Sequence, residues 1–116
     1  MKWTKLENAS QLDLIKNEST DKTILIFKHS TRCNVSRTAL DRLERNWKEE
    51  EMRHVTPYFL DLISYREISN QIVSQFGVEH ESPQILVVRN GKTVYDCSHF
   101  DISYDTIRNI VLTSKN

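Results

Sequence analysis

The stretch T23-I-L-I-F-K-H-S-T-R-C-N-V-S-R-T-A-L40 sets the reading of the whole chain: an apolar run meets a sharp polar turn, and a helical pattern begins at a cysteine. Ile24, Leu25, Ile26 and Phe27 are consecutive and β-rich without alternation, the signature of a strand covered on both faces. Beyond Lys28-His29-Ser30, Thr31 is placed to cap a helix, its hydroxyl accepting a backbone N–H of the first turn. Val35, Ala39, Leu43 and Trp47 then recur at four-residue spacing, with Leu40 widening the stripe, so a helix running to about Glu51 is expected. Cys33 falls in its first turn. There, N–H groups without intrahelical partners and the positive end of the helix dipole favour thiolate over thiol. Arg32 and Arg37 add positive charge, as would a protonated His29. The expectation is a reactive, partly exposed sulfur; the competing reading is a small buried side chain without chemistry.

Composition narrows what surrounds this stretch. The chain has 116 residues and reads as a single domain over 1–116. Its 16 basic and 16 acidic residues cancel, and no aromatic-basic stripe interrupts them, which argues against a nucleic-acid module and against attraction to an anionic membrane. No apolar run approaches the 18 or so residues of a spanning helix, and no apolar segment follows Met1-Lys2-Trp3-Thr4-Lys5, so the expected compartment is the cytoplasm. Two cysteines make no disulfide framework, and the four histidines, His29, His54, His80 and His99, show no metal-ligand spacing.

Taken in order, Asn8 with Gln11 three residues on suggests a capped first helix to about Asn17. Tyr58, Phe59, Leu60 and Leu62 read as a second strand entered after Pro57. Ser64 with Glu67 resembles a capping box before a helix carrying Ile68, Ile72, Val73 and Phe76 and stopping at Gly77. Gln84–Val88 is another buried-type strand, Asn90-Gly91 the strongest short hairpin signal, and Thr93, Val94 and Tyr95 return antiparallel. Ser103 caps a last helix with Tyr104, Ile107, Ile110 and Val111 on its apolar side. A βαβ unit, a helix, a hairpin and a closing helix make an α/β fold: a mixed four-stranded sheet with helices on both faces.

Pro83 is the second pivot. A proline just before a central strand gives up a ladder donor, and an X-Pro bond can be cis at little cost. The end of the first parallel strand, where Cys33 lies, and the start of an antiparallel hairpin strand, where Pro83 lies, must share one edge of the sheet. Ser82-Pro83 is therefore expected to be cis and to face Cys33. The returning hairpin strand brings Ser98 and His99 to that edge as well, making Ser82, Pro83, Ser98 and His99 the candidate groove.

A cysteine opening the helix after the first long strand, a central βαβ unit, and Ser82-Pro83 before a hairpin together resemble the thioredoxin-like fold. The string H29-S-T-R-C-N-V-S-R-T-A-L40 is similar to that of the monothiol bacilliredoxins, small bacterial proteins that act with the low-molecular-weight thiol bacillithiol. Their motif reads Thr-Cys-Pro-Ile-Ser or Thr-Arg-Cys-Pro-Ile-Ser; here it is Thr31-Arg32-Cys33-Asn34-Val35-Ser36. The likeness spans nearly the whole chain and departs at Asn34, a residue compatible with a first helical turn but less preorganised than proline. The resemblance implies Cys33 as catalytic residue, with Thr31, Arg32, Asn34 and Ser36 tuning its thiolate. It also implies bacillithiol as co-substrate rather than a tightly bound cofactor, and S-bacillithiolated proteins as clients.

Where a dithiol enzyme would carry a resolving cysteine three residues after the nucleophile, this chain has Ser36, whose hydroxyl can donate to the thiolate or bond the backbone but cannot form a disulfide. A mixed disulfide on Cys33 must then be resolved by another thiol, and the resemblance implies a second bacillithiol. Two alternatives stand beside this reading: a redox-inert thioredoxin-like interaction domain, and a dithiol oxidoreductase using Cys97. A Cys33–Cys97 disulfide is not expected, because the first-turn backbone and the Pro83 segment should keep the two Cα atoms too far apart.

Overall fold

In the computed structural model, which describes residues 1–113, strands and helices alternate as β1 (Thr4–Lys5), α1 (Ser10–Glu18), β2 (Thr23–His29), α2 (Asn34–Asn46), β3 (Val55–Asp61), α3 (Arg66–Phe76), β4 (Gln84–Arg89), β5 (Lys92–Ser98) and α4 (Tyr104–Thr113). A short 3-10 turn, His99–Asp101, joins β5 to the segment before α4. The sheet has five strands in the order β1-β3-β2-β4-β5, not four. The added strand, β1, pairs parallel with β3 through Thr4 and Lys5 alone, a length at which no side-chain period can be read.

All seven residues of β2 are buried, because helices cover both of its faces. Ile24 and Ile26 pack with Leu12 and Ile15 of α1 and with Ile68, Ile72 and Phe76 of α3. Leu25 and Phe27, pointing the other way, pack with Ala39 and Leu43 of α2 and with Tyr104 and Ile107 of α4. One unalternating apolar run thus supplies two cores, as the period of two requires.

The punctuation residues act where the sequence puts them. Gly77 ends α3 with φ 69° and its N–H on the Val73 carbonyl. Asn90 and Gly91 both have positive φ, 51° and 74°, in the turn between β4 and β5. The Ser103 hydroxyl accepts the Thr106 N–H at 3.1 Å at the start of α4. Other boundaries move. Gln11 Oε1 accepts the N–H groups of Glu7 and Asn8, while Ala9 takes the N-cap position of α1. Tyr65, not Ser64, is the N-cap of α3, and the Ser64 hydroxyl bonds Asp61. Helix α2 stops at Asn46, and Glu49 and Glu51 are engaged, by the terminal amine and by the Tyr104 hydroxyl.

Strand β3 begins at Val55 and runs through Pro57. The Phe59 carbonyl accepts the Leu6 N–H on the β1 side, so Pro57, two residues earlier, has its nitrogen on that same outer side, which β1 does not reach.

At the far end of β2, alternation sends Lys28 to the α1/α3 face. Its side chain is fully buried and its Nζ has no hydrogen-bond partner in the protein. Burial lowers its pKa from 10.5 to about 8. Between those values the unfolded chain holds a proton that the folded chain has released, so the cost of burying Lys28 is full below about pH 8 and shrinks as pH rises toward 10.5. Replacing the unpaired charge by an apolar side chain of similar length, Lys28→Met, is expected to raise stability at pH 7 by roughly 1–4 kcal/mol. Urea unfolding at pH 7 and pH 10 should show that gain narrowing at the higher pH; no gain at pH 7 would show that the ammonium is compensated.

Candidate active site

After β2 ends at His29, the chain folds back within three residues, and the Cys33 N–H donates to the Ser30 carbonyl at 3.2 Å. Cys33 itself is the N-cap of α2, extended at φ −111° and ψ 120°, with its carbonyl accepting the Arg37 N–H at 3.1 Å. Thr31 is therefore not the cap; it and Arg32 are exposed on the turn, and no side chain caps the helix. The sulfur sits half-buried at the mouth of the helix, beside the first-turn N–H groups that have no intrahelical partner. Arg37 is held over that turn by Asn34, whose Oδ1 accepts from its Nη2 at 3.3 Å.

Ser36 is fully buried one turn into α2. Its hydroxyl lies 2.7 Å from His29 Nδ1 and accepts the Ser30 N–H at 3.1 Å. Of the two readings of Ser36, the bonded hydroxyl is what the structure contains: its partners are an imidazole and a backbone amide. His29 is buried between the rings of Phe27 and Phe59. Burial lowers its pKa, with Arg37 acting in the same direction and Asp61 and Glu44 opposing. A neutral imidazole, rather than an added positive charge, is therefore the form His29 brings near the sulfur.

The second half of the site comes from the hairpin. Lys28 of β2 pairs with Gln84 of β4, and Gln84 pairs with Ser98 of β5, so Cys33, Pro83 and Ser98 lie at one end of the sheet. The Ser82-Pro83 peptide is cis. His99 donates its N–H to the Pro83 carbonyl at 3.0 Å, adopts φ 54°, and has its Nε2 3.6 Å from Glu81 Oε1. Two buried polar atoms here, Ser82 Oγ and Gln84 Oε1, have no partner in the protein. Cys97 lies opposite Ile85 and packs on the core under α2 and α4; burial pushes its thiol up, while a hydrogen bond to Tyr95 pulls the other way. Both cysteines are free thiols.

With this geometry, the likeness to known proteins is specific. The family model for monothiol bacilliredoxin BrxC matches residues 4–107. The chain belongs to the monothiol bacilliredoxin family. Among solved structures it is similar to a candidate oxidoreductase with a thioredoxin fold, 29% identical over 89% of this chain and 88% of that one, with a TM-score of 0.74. Thioredoxins from Fasciola hepatica (18% identity, 96% of this chain and 98% of that one, TM-score 0.73) and Malassezia sympodialis (14%, 97% and 90%, 0.72) share the fold. The fold is thus thioredoxin-like, and the family membership supports a bacilliredoxin-type redox role.

Within the family motif, Asn34 is the departure, and the backbone around it remains that of a proline site. The residue before a proline is pushed to extended φ/ψ, which Cys33 already adopts. Asn34 opens the helix, where a missing N–H is tolerated. Asn34→Pro should fold and gain about 0.4–1 kcal/mol by stiffening the unfolded chain. Urea unfolding checks this; a loss instead of a gain would show that the Asn34–Arg37 hydrogen bond outweighs the stiffening.

Proposed function

We propose that this protein is a monothiol thiol-disulfide oxidoreductase that removes bacillithiol from S-bacillithiolated protein cysteines through Cys33. The observation that carries the reading is Ser36: the position where a second thiol would resolve a disulfide holds a buried hydroxyl that cannot do so. The only other sulfhydryl, Cys97, is turned into the core under α2 and α4.

In the first step the Cys33 thiolate attacks the bacillithiol sulfur of the client's mixed disulfide. That S–S bond breaks, the client sulfur leaves as a thiolate and takes a proton from solvent, and Cys33 carries bacillithiol as a mixed disulfide. In the second step a bacillithiol thiolate attacks the carried bacillithiol sulfur, forming bacillithiol disulfide and returning the Cys33 thiolate. One sulfur is nucleophile in the first step and leaving group in the second. Thr31, Arg32 and Asn34 shape the turn and the charge around that sulfur. Ser82, Pro83, Ser98 and His99 form the opposing wall, where the backbone beside the cis proline receives an extended client segment by strand-like hydrogen bonds. A thiol that must be kept reduced suits the cytoplasm, and among the described residues no helix is long and apolar enough to cross a membrane.

Incubation with bacillithiol disulfide followed by intact-mass spectrometry is expected to show a single bacillithiol added, lost in Cys33→Ser and retained in Cys97→Ala. An intramolecular disulfide, seen as the loss of two protons with no added mass, would instead assign resolution to Cys97. Pro83→Ala should slow exchange in stopped-flow measurements while the protein stays folded by circular dichroism; an unchanged rate would remove the wall opposite Cys33 from the mechanism.

A further inference from the structure

The first turn of α2 carries a guanidinium directed toward the reacting end of the helix. Arg37 lies one turn after Cys33, and its backbone N–H donates to the Cys33 carbonyl at 3.1 Å, so the two residues share one side of the helix. Its exposed side chain has two ways to run. One turn further on stands Asp41, an ordinary i,i+4 partner for an arginine. The structure does not use that pair. Asp41 Oδ2 bonds Arg45 Nε at 3.1 Å, and Arg37 reaches back, donating from Nη2 to Asn34 Oδ1 at 3.3 Å. The guanidinium is thus held at the sulfur end of α2 by the residue that stands where the family motif has proline.

Its charge is not neutralised there. Among the described residues no carboxylate lies at ion-pair distance from Arg37, and its tether, Asn34, is neutral. The acids around this end of the sheet are engaged elsewhere: Glu44 accepts the Trp3 indole at 2.7 Å, Asp61 the Ser64 hydroxyl at 3.1 Å, and Glu81 faces His99 at 3.6 Å. The charge reaches the site, since Arg37 is one of the groups that depress protonation of His29 at the end of β2. A planar guanidinium with one neutral partner keeps N–H donors in the fork geometry that suits a carboxylate.

We propose that Arg37 is a specificity-determining residue: it binds the carboxylate of a thiol partner whose sulfur exchanges with Cys33, and Asn34 keeps it at the sulfur end of α2. The favoured class is small disulfides that carry a carboxylate a few bonds from the sulfur. The Cys33 thiolate attacks one sulfur of such a disulfide, the S–S bond breaks, and the other half leaves as a thiolate that takes a proton from solvent. The carboxylate of the retained half rests on Arg37 while the mixed disulfide lasts. A cation acting only on the thiolate speeds every disulfide alike, whereas one that binds the incoming anion sorts substrates by charge. This inference deepens the proposed function by naming a substrate class, and it rests on that reading only in taking Cys33 as the reacting sulfur.

The test uses three small disulfides of different charge: dithiodiglycolate, anionic; hydroxyethyl disulfide, neutral; and cystamine, cationic. Formation of the mixed disulfide on the reduced full chain is followed by intact-mass spectrometry after acid quench. Arg37→Met keeps the aliphatic stem, and it is expected to lower the ratio of the dithiodiglycolate rate to the hydroxyethyl disulfide rate about fivefold, the upper end for an exposed ion pair. The same variant should raise the ratio of cystamine to hydroxyethyl disulfide. Arg37→Lys should keep most of the wild-type preference, and Asn34→Ala, which frees the guanidinium, should lose about half of it. Salt at about 0.5 M should bring the wild-type ratio toward that of Arg37→Met. Equal slowing of all three disulfides in Arg37→Met, unchanged ratios, or a preference lost in Arg32→Met and kept in Arg37→Met would overturn the proposal. Failure of the wild-type protein to exchange with bacillithiol disulfide, with charge-dependent exchange intact, would count against the proposed function alone.

Discussion

The pairing of β2 with β4 is the constraint on which the rest depends. Because β2 runs parallel to β3 and antiparallel to β4, the end of one central strand meets the beginning of the next, and a loop opening a helix faces a loop opening a hairpin. This register has an unusual weakness. Strand β2 is apolar on both faces, as is β4 between Ile85 and Val88, so a slip of one residue would exchange one set of aliphatic side chains for another at small cost. The polar residues at the strand ends remove that degeneracy. His29 finds Ser36 only when it points toward α2, and Gln84 joins Lys28 on the opposite face only in the observed pairing. The Asn90-Gly91 turn then transmits the register to β5 and brings Ser98 level with Gln84.

Satisfaction of polar groups is uneven across the molecule. Side-chain hydroxyls at turns and helix starts, such as Ser19, Thr20 and Ser103, find backbone partners. Around the sheet end that holds Cys33, Lys28 Nζ, Ser82 Oγ and Gln84 Oε1 are buried without partners. Such groups are costly; Trp47 Nε1 and Gln75 Oε1 are two more, near the far ends of α2 and α3, so unpaired polar atoms are not confined to the sheet end that holds Cys33.

Much of this is legible in the sequence. The unbroken run Ile24–Phe27, Gly77, Asn90-Gly91, Ser103 and Ser82-Pro83 each carry a local physical meaning, and the structure uses each one accordingly. Strand β1 was invisible because two residues hold no period. Thr31 looked like the cap because its hydroxyl is suited to one; the backbone turns later, and the N-cap falls on a residue whose own side chain is kept for other work. The apolar spacing that reached Trp47 was real, since Trp47 packs on Tyr104, yet it does so from beyond the end of the helix. The bond between His29 and Ser36 joins a strand residue to a helix residue across a turn, and no spacing rule for either element alone contains it.

The outer side of β3 bears on how the protein lives among other chains. An open sheet edge is a template on which a foreign strand can pair, and β1 shields only two residues of this one. The remaining stretch offers almost nothing to pair with: the Val55 N–H is taken by the Met52 carbonyl, and Pro57 has no N–H at all. A chain sliding alongside would therefore find no ladder to zip onto. Pro57 thus removes a donor from the outer side of β3, which disfavours strand pairing with another chain there.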